Sequence, residues 1–102
     1  MNLKLIYITA PNKSIATSIA KTLVQEKLAA CVNILGGMES YYLWEGEFTQ
    51  SEEMLILAKT TAKLEANLII RVKELHPYEL PCILSFNIDG GEPKFLKWLK
   101  MI

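Results

Sequence analysis

Histidine occurs once in these 102 residues, at His76, and cysteine twice, at Cys31 and Cys82. A lone imidazole binds first-row metals weakly, so any metal site needs Cys, Glu or a second chain's His beside it. Two cysteines this far apart make neither a C-x-x-C site nor a disulfide framework. Net charge is also missing, because 11 Lys and Arg balance 11 Asp and Glu. The chain therefore has no electrostatic footprint for phosphate backbones or anionic lipid, and neither nucleic acid nor membrane is expected as a partner. No apolar run approaches the ~18 residues of a membrane span, and Met1 to Thr9 has no small-residue cleavage site, so a cytoplasmic location is expected. The glycine pairs Gly36-Gly37 and Gly90-Gly91 lack the Lys-Ser/Thr continuation of a phosphate loop. No Cys-His or Ser-His-Asp constellation can be assembled from the sequence alone with any specificity. Thr9-Ala10-Pro11-Asn12-Lys13 has no Arg to grip an acyl phosphate. Neither catalysis nor an organic cofactor is expected.

What is present is apolar: 51% of residues are hydrophobic and 22% charged, which excludes disorder. The length supports a single domain over residues 1–102. An apolar excess in so small a domain points to burial against other copies of the chain.

Residues 3 to 9 read as a mostly buried strand that ends at Ala10-Pro11. Ile15, Ile19, Leu23 and Val24 then recur at helical spacing over residues 14 to 27, with Asn12 or Ser14 as N-cap. A second strand begins at Cys31 to Leu35, is interrupted by Gly36-Gly37 and resumes from Ser40 to Trp44; a glycine pair inside an extended run marks a bulge or bend. Trp44-Glu45-Gly46-Glu47 reads as a hairpin turn, from which Met54 to Ala58 returns as a third strand ending near Thr60. Leu64, Leu68, Val72 and Leu75 mark the inner face of a second helix, with Thr60 or Thr61 near its start. Cys82 to Ile88 forms a fourth strand, and Pro93 opens a short helix with Phe95, Trp98 and Leu99 on one face.

This βαββαβ order plus a terminal helix specifies a ferredoxin-like α+β fold, an antiparallel four-stranded sheet with both main helices on one face. The opposite face must be covered or polar. Strands two and three are the longest, so their aromatic hairpin (Tyr41, Tyr42, Trp44, Phe48) should overhang the sheet and offer a subunit contact. The second and fourth strands are opposite edges, which disfavours a Cys31–Cys82 bridge within one chain.

The segment His76-Pro77-Tyr78-Glu79-Leu80-Pro81 concentrates polar groups on backbone stiffened by two prolines. His76 is a metal ligand, a general acid or base, or a hydrogen-bond partner that fixes the loop. Cys31 and Cys82 read as small buried hydrophobes, with a thiol site shared between subunits left open. Glu52-Glu53, with Glu45 and Glu47, could offer oxygen ligands to a divalent cation; solvated gatekeeping of an exposed hairpin is the preferred reading. Lys59, Tyr78 and Trp44 are candidates to line a pocket, with Trp44 also an interface anchor.

Six blocks then carry a resemblance: Thr9-Ala10-Pro11, Glu26 to Ile34 (EKLAACVNI), Tyr42-Leu43-Trp44-Glu45-Gly46, Lys59-Thr60-Thr61, His76 to Pro81, and Leu96-Lys97-Trp98-Leu99. In this order and spacing they resemble the CutA divalent-cation-tolerance family over nearly the whole chain. The resemblance implies a homotrimer assembled like the PII signalling proteins, cytoplasmic, associated with copper or other divalent cations, and not a catalyst. Where members with a copper site place a thiol before Thr-Ala-Pro and two histidines before Pro-Tyr, this chain has Ile8, Leu75 and His76. The metal candidates are then His76, Cys31 and Glu79, and the inter-subunit cleft candidates Lys59, Tyr78 and Trp44. The rival reading is a PII-like module without a metal, whose clefts, edged by Lys59, His76 and Tyr78, bind a small anion or another protein.

Overall fold

The computed structural model describes residues 2–102; Met1, which the single-domain reading includes, lies outside them. The elements run β1 (Leu3–Ala10), α1 (Lys13–Gln25), β2 (Cys31–Trp44), β3 (Glu47–Thr61), α2 (Glu65–Leu75), β4 (Ile83–Asn87) and α3 (Pro93–Leu99). The strands form one sheet in the order β2-β3-β1-β4, every pair antiparallel. The expected α+β ferredoxin-like fold is therefore present, with Cys31 and Cys82 at opposite edges as free thiols.

Alternation along the strands divides the sheet into two faces. Ile6, Ile8 and Ala10 of β1 stand beside Ile56 and Ala58 of β3 and pack against Ala16, Ile19 and Leu23 of α1 and Leu68 and Val72 of α2. All of these side chains are fully buried. Burial of a Leu, Ile or Val contributes about 1.5–3 kcal/mol, so this layer is the main source of stability. The other face carries Leu5, Tyr7, Leu35, Leu55, Leu57, Leu84 and Phe86. α3 lies over one end of it, at Lys59, and buries Leu99; Leu35, Leu84 and Phe86 remain about half or more exposed.

Local chemistry explains most boundaries. Asn12 is the N-cap of α1, its Oδ1 accepting from the Ile15 N–H at 2.9 Å. The helix ends where Lys27 turns the chain at φ 58. Glu45 (φ 51) and Gly46 (φ 81) form the two-residue turn between β2 and β3, with the paired positive φ values of a type I′ hairpin. Gly36-Gly37 marks a bulge, since three steps along β2 from Leu35 to Met38 oppose two along β3 from Leu55 to Glu53. The strand continues through this bulge instead of being interrupted. Beyond it, residues 47 to 53 of β3 pair with β2 alone, and this free ribbon stretches the molecule to 45 Å.

Two sequence expectations need correction. Thr60 and Thr61 belong to β3, and α2 starts after Leu64 with no side-chain cap. Thr60 is fully buried and donates from Oγ1 to the Leu28 carbonyl at 2.7 Å, tying β3 to the turn after α1. On α3, Phe95 and Trp98 stay 43% and 47% exposed, so only Leu99 of the expected apolar face is buried.

Candidate functional site

The residue before a proline is held out of the helical region, and His76 accordingly stops α2 in an extended conformation (φ −85, ψ 133). Its ring turns inward to 7% exposure. Nε2 lies 2.7 Å from the Thr9 carbonyl oxygen, and the Tyr78 N–H donates to Nδ1 at 3.2 Å. Nδ1 is thus an acceptor, and Nε2 carries the hydrogen and donates it in a hydrogen bond to the Thr9 carbonyl. Both ring nitrogens are engaged in fastening the His76–Leu80 loop to the end of β1.

That loop forms one wall of a cleft of about 860 Å³; the base of the β2–β3 ribbon forms the other. The bulge at Gly36-Gly37 turns Met38, Ser40, Tyr42 and Trp44 onto the same face as Glu53, opposite which Met38 is paired. Five aromatic rings line the cleft, those of Tyr7, Tyr41, Tyr42, Trp44 and Tyr78. Its charged lining residues are Glu39, Glu53 and Glu79, with no Lys or Arg among them.

Glu53 is the residue whose role the sequence concealed. It is 8% exposed, whereas its neighbour Glu52 faces solvent. Tyr78 Oη donates to Glu53 Oε2 at 3.3 Å. Burial first, then the negative charge of Glu53 and this hydrogen bond, raise the Tyr78 phenol above its ordinary 10.0, so it stays a neutral donor. The Cys82 thiol is raised by burial and by Glu53, against a lowering hydrogen bond from Thr9. The solvated-gatekeeper reading thus holds for Glu52 and fails for Glu53, whose side chain lies under the His76–Leu80 loop.

Of the inter-subunit cleft candidates, Tyr78 and Trp44 share this cleft, and the exposed metal candidate Glu79 lies on its rim. Lys59 does not join them. It stands six residues from Glu53 along β3, about 20 Å at strand rise, with Nζ donating to Asn33 Oδ1 at 2.6 Å and lying 6.0 Å from the Phe95 ring centroid. Cys31 is at that same distant end, its Sγ 3.8 Å from Lys59 Nζ. The metal candidates His76, Cys31 and Glu79 are therefore not brought together. Among the described residues no three His, Cys, Asp or Glu side chains converge. The donors of a single chain do not fit a divalent metal centre.

The family model described as CutA1 divalent ion tolerance protein matches residues 4–101. The divalent-cation tolerance protein CutA of Thermus thermophilus is 45% identical over 97 residues, covering 95% of this chain and 94% of that protein. The chain spans 52% of the chloroplastic CutA protein of Arabidopsis thaliana, at 43% identity. Among solved structures, CutA from Xylella fastidiosa superposes with a TM-score of 0.96 at 38% identity, covering 99% of this chain and 97% of that one. CutA1 from Oryza sativa does so at 0.95 and 40% identity, covering 99% and 93%. By sequence and by fold, this chain belongs to the CutA1 divalent ion tolerance protein family.

Proposed function

We propose that this protein works in divalent-cation tolerance as a cytoplasmic homotrimer, and that copper or another divalent ion is held between subunits. The observation that carries the reading is the uncovered sheet face. Leu35, Leu84 and Phe86, about half or more exposed, adjoin half-buried Leu55 and Leu57 and the aromatic ribbon, an apolar face of the kind that marks a contact surface. Closure around a threefold axis buries that face on every copy and leaves no half unsatisfied. A shared ion would then draw its donors from different chains, since one chain supplies no convergent set among the described residues. His76 takes part only by releasing the Tyr78 amide from Nδ1, which leaves Glu79 and the thiols as the freer ligands. The proposed role is binding without catalysis; the Thermus thermophilus relative is named a divalent-cation tolerance protein.

Light scattering on the purified, reduced protein should give three times the 11.5 kDa chain mass. Copper titrated by calorimetry should bind the trimer with fixed stoichiometry. Leu57→Glu, which puts a charge into the face, should give monomers that have lost that binding. A monomeric parent, or a monomeric variant that binds copper as the parent does, defeats the reading.

The cleft beside Tyr78 favours, as a second reading, a PII-like module that binds a small anion or another protein between subunits; within one chain this cleft carries negative charge only, so an anion would need Lys59 from a neighbouring copy.

A further inference from the structure

We infer that Asp89-Gly90, in the loop between β4 and α3, is a site of spontaneous isoaspartate formation, and that the isomerised loop loosens the seat of α3 on the sheet. The chain has one aspartate, and it is the only Asp or Asn followed by glycine; the five asparagines precede Leu, Ile or Lys. The reaction joins the backbone nitrogen of the following residue to the side-chain carboxyl carbon. It is fastest where no side chain shields that amide and the backbone turns freely, as at glycine. Four of the asparagines are further held by secondary structure, Asn12 as the cap of α1 and Asn33, Asn67 and Asn87 within β2, α2 and β4.

Asp89 and Gly90 lie unheld between two anchors. On one side the Ile88 N–H donates to the Leu3 carbonyl at 3.0 Å, and on the other Glu92 caps α3, its carboxylate accepting from the Phe95 N–H at 2.8 Å. Between them Asp89, Gly90 and Gly91 are exposed and outside any helix or strand. Among the described residues neither the Gly90 amide nor the Asp89 carboxyl has a hydrogen-bond or ion-pair partner. A Cβ at Gly90 would meet no atom within 4 Å, whereas one at Gly91 would stand 3.3 Å from Leu96 Cδ2 of α3. The open part of the loop is therefore at the reacting amide. The loop also sits at the end of the sheet away from the ribbon, beside Leu3 and the last residues of β3. Both reacting atoms belong to this chain, so the site needs freedom of its own backbone and no partner.

The Gly90 nitrogen attacks the carboxyl carbon of Asp89 in its acid form; the N–C bond forms, the C–OH bond breaks, and the amide hydrogen leaves with the hydroxyl as water. Water then adds back to the five-membered imide. Opening at the former side-chain carbonyl restores aspartate, and opening at the backbone carbonyl leaves the chain running through the former side chain with the α-carboxylate free. The net change is an isomerisation, with no oxidant and no change of mass. The backbone gains one methylene, about 1.5 Å of contour. That gain falls between the Leu3 tether and the Glu92 cap of a helix of 7 residues, too short to stand without packing. Of the apolar residues of α3 Leu99 alone is buried, while Phe95 and Trp98 stay largely exposed, so the altered loop acts on a weakly seated helix.

The test ages the purified protein, in its native oligomeric state, in warm and mildly acidic buffer. Isoaspartate is read by labelling with protein isoaspartyl methyltransferase and by loss of endoproteinase Asp-N cleavage before Asp89, the chain's one aspartyl site. Labelling should rise with age and map to Asp89. Gly90→Val, whose side chain has room, should slow it at least about tenfold. Hydrogen exchange read on α3 peptides should split into two populations, the faster by at least about tenfold and equal in size to the isoaspartate fraction. Prolonged methyltransferase treatment, which returns isoaspartate to aspartate, should merge them again. Asp89 staying aspartyl in the aged native protein overturns the site, and isomerisation in the guanidinium-unfolded chain alone would show that the loop is held or covered by another copy. Gly90→Val ageing as fast as the parent overturns it as well. A single α3 exchange population in protein that carries isoaspartate defeats the link to α3.

Discussion

Replacing His76 with alanine tests what holds the cleft together. The imidazole is buried and bridges two backbone groups that are 69 residues apart in the chain, the Thr9 carbonyl at 2.7 Å and the Tyr78 amide at 3.2 Å. It also packs on the Tyr78 ring with centroids 4.8 Å apart. Alanine leaves a carbonyl and an amide without partners, each worth about 1–3 kcal/mol when buried, and removes an aromatic contact worth about 0.5–1.5 kcal/mol. Because Tyr78 is only half-buried, water recovers part of this, and a loss of about 2–5 kcal/mol is expected. That is a large share of the ~5–15 kcal/mol of a whole domain. Urea unfolding at a fixed protomer concentration measures it, since assembly shifts apparent stability by mass action.

Two further substitutions divide the loss between the ring nitrogens. His76→Asn places an acceptor near Nδ1 and should recover the Tyr78 bond, whereas His76→Gln places a donor near Nε2 and should recover the bond to Thr9. Each should regain about 1 kcal/mol over alanine. If His76→Ala unfolds within about 0.5 kcal/mol of the parent, the size of an ordinary surface change, the clamp argument is wrong. If that variant also loses copper binding while keeping its stability, His76 is a ligand and not a clamp.

Two other outcomes follow from buried groups. Thr60→Val keeps the shape of a fully buried side chain and removes the donor to the Leu28 carbonyl, and should cost about 1–3 kcal/mol; an unchanged denaturation midpoint would mean the bond contributes nothing. In alkaline solution the folded state holds protons on Cys82 and Tyr78 that the unfolded chain gives up near 9.0 and 10.0. Stability from these groups is thus complete below about pH 9 and declines as pH rises through the raised folded values. Glu53→Gln, which removes a charge that raises both, should make the decline shallower, and a variant as alkali-sensitive as the parent would show that burial alone sets the shifts.

Features set by neighbouring residues were legible in the chain. The Asn12 cap, the Glu45-Gly46 turn, the glycine bulge and the proline stop at His76 each depend on φ/ψ preferences or short-range hydrogen bonds, and each stands where the residues place it. The start of α2 was less legible because capping and strand pairing compete for the same threonines. Thr60 paired with Lys4 across the sheet and bonded to Leu28, which left Leu64 at the helix start without a side-chain cap.

Glu53 was hidden for a different reason. Glu52 and Glu53 are adjacent and chemically identical, and alternation says only that they face opposite ways. Which one is buried depends on the His76–Leu80 loop, more than twenty residues further on, and that loop reaches Glu53 because His76 fastens it to Thr9. The bulge adds a second layer of concealment. Counting by twos from Cys31 puts Tyr41 and Leu43 on the face of Leu35, but the extra residue at Gly36-Gly37 brings Tyr42 and Trp44 there instead. The aromatic and acidic halves of the cleft therefore meet through one inserted backbone residue and one buried imidazole.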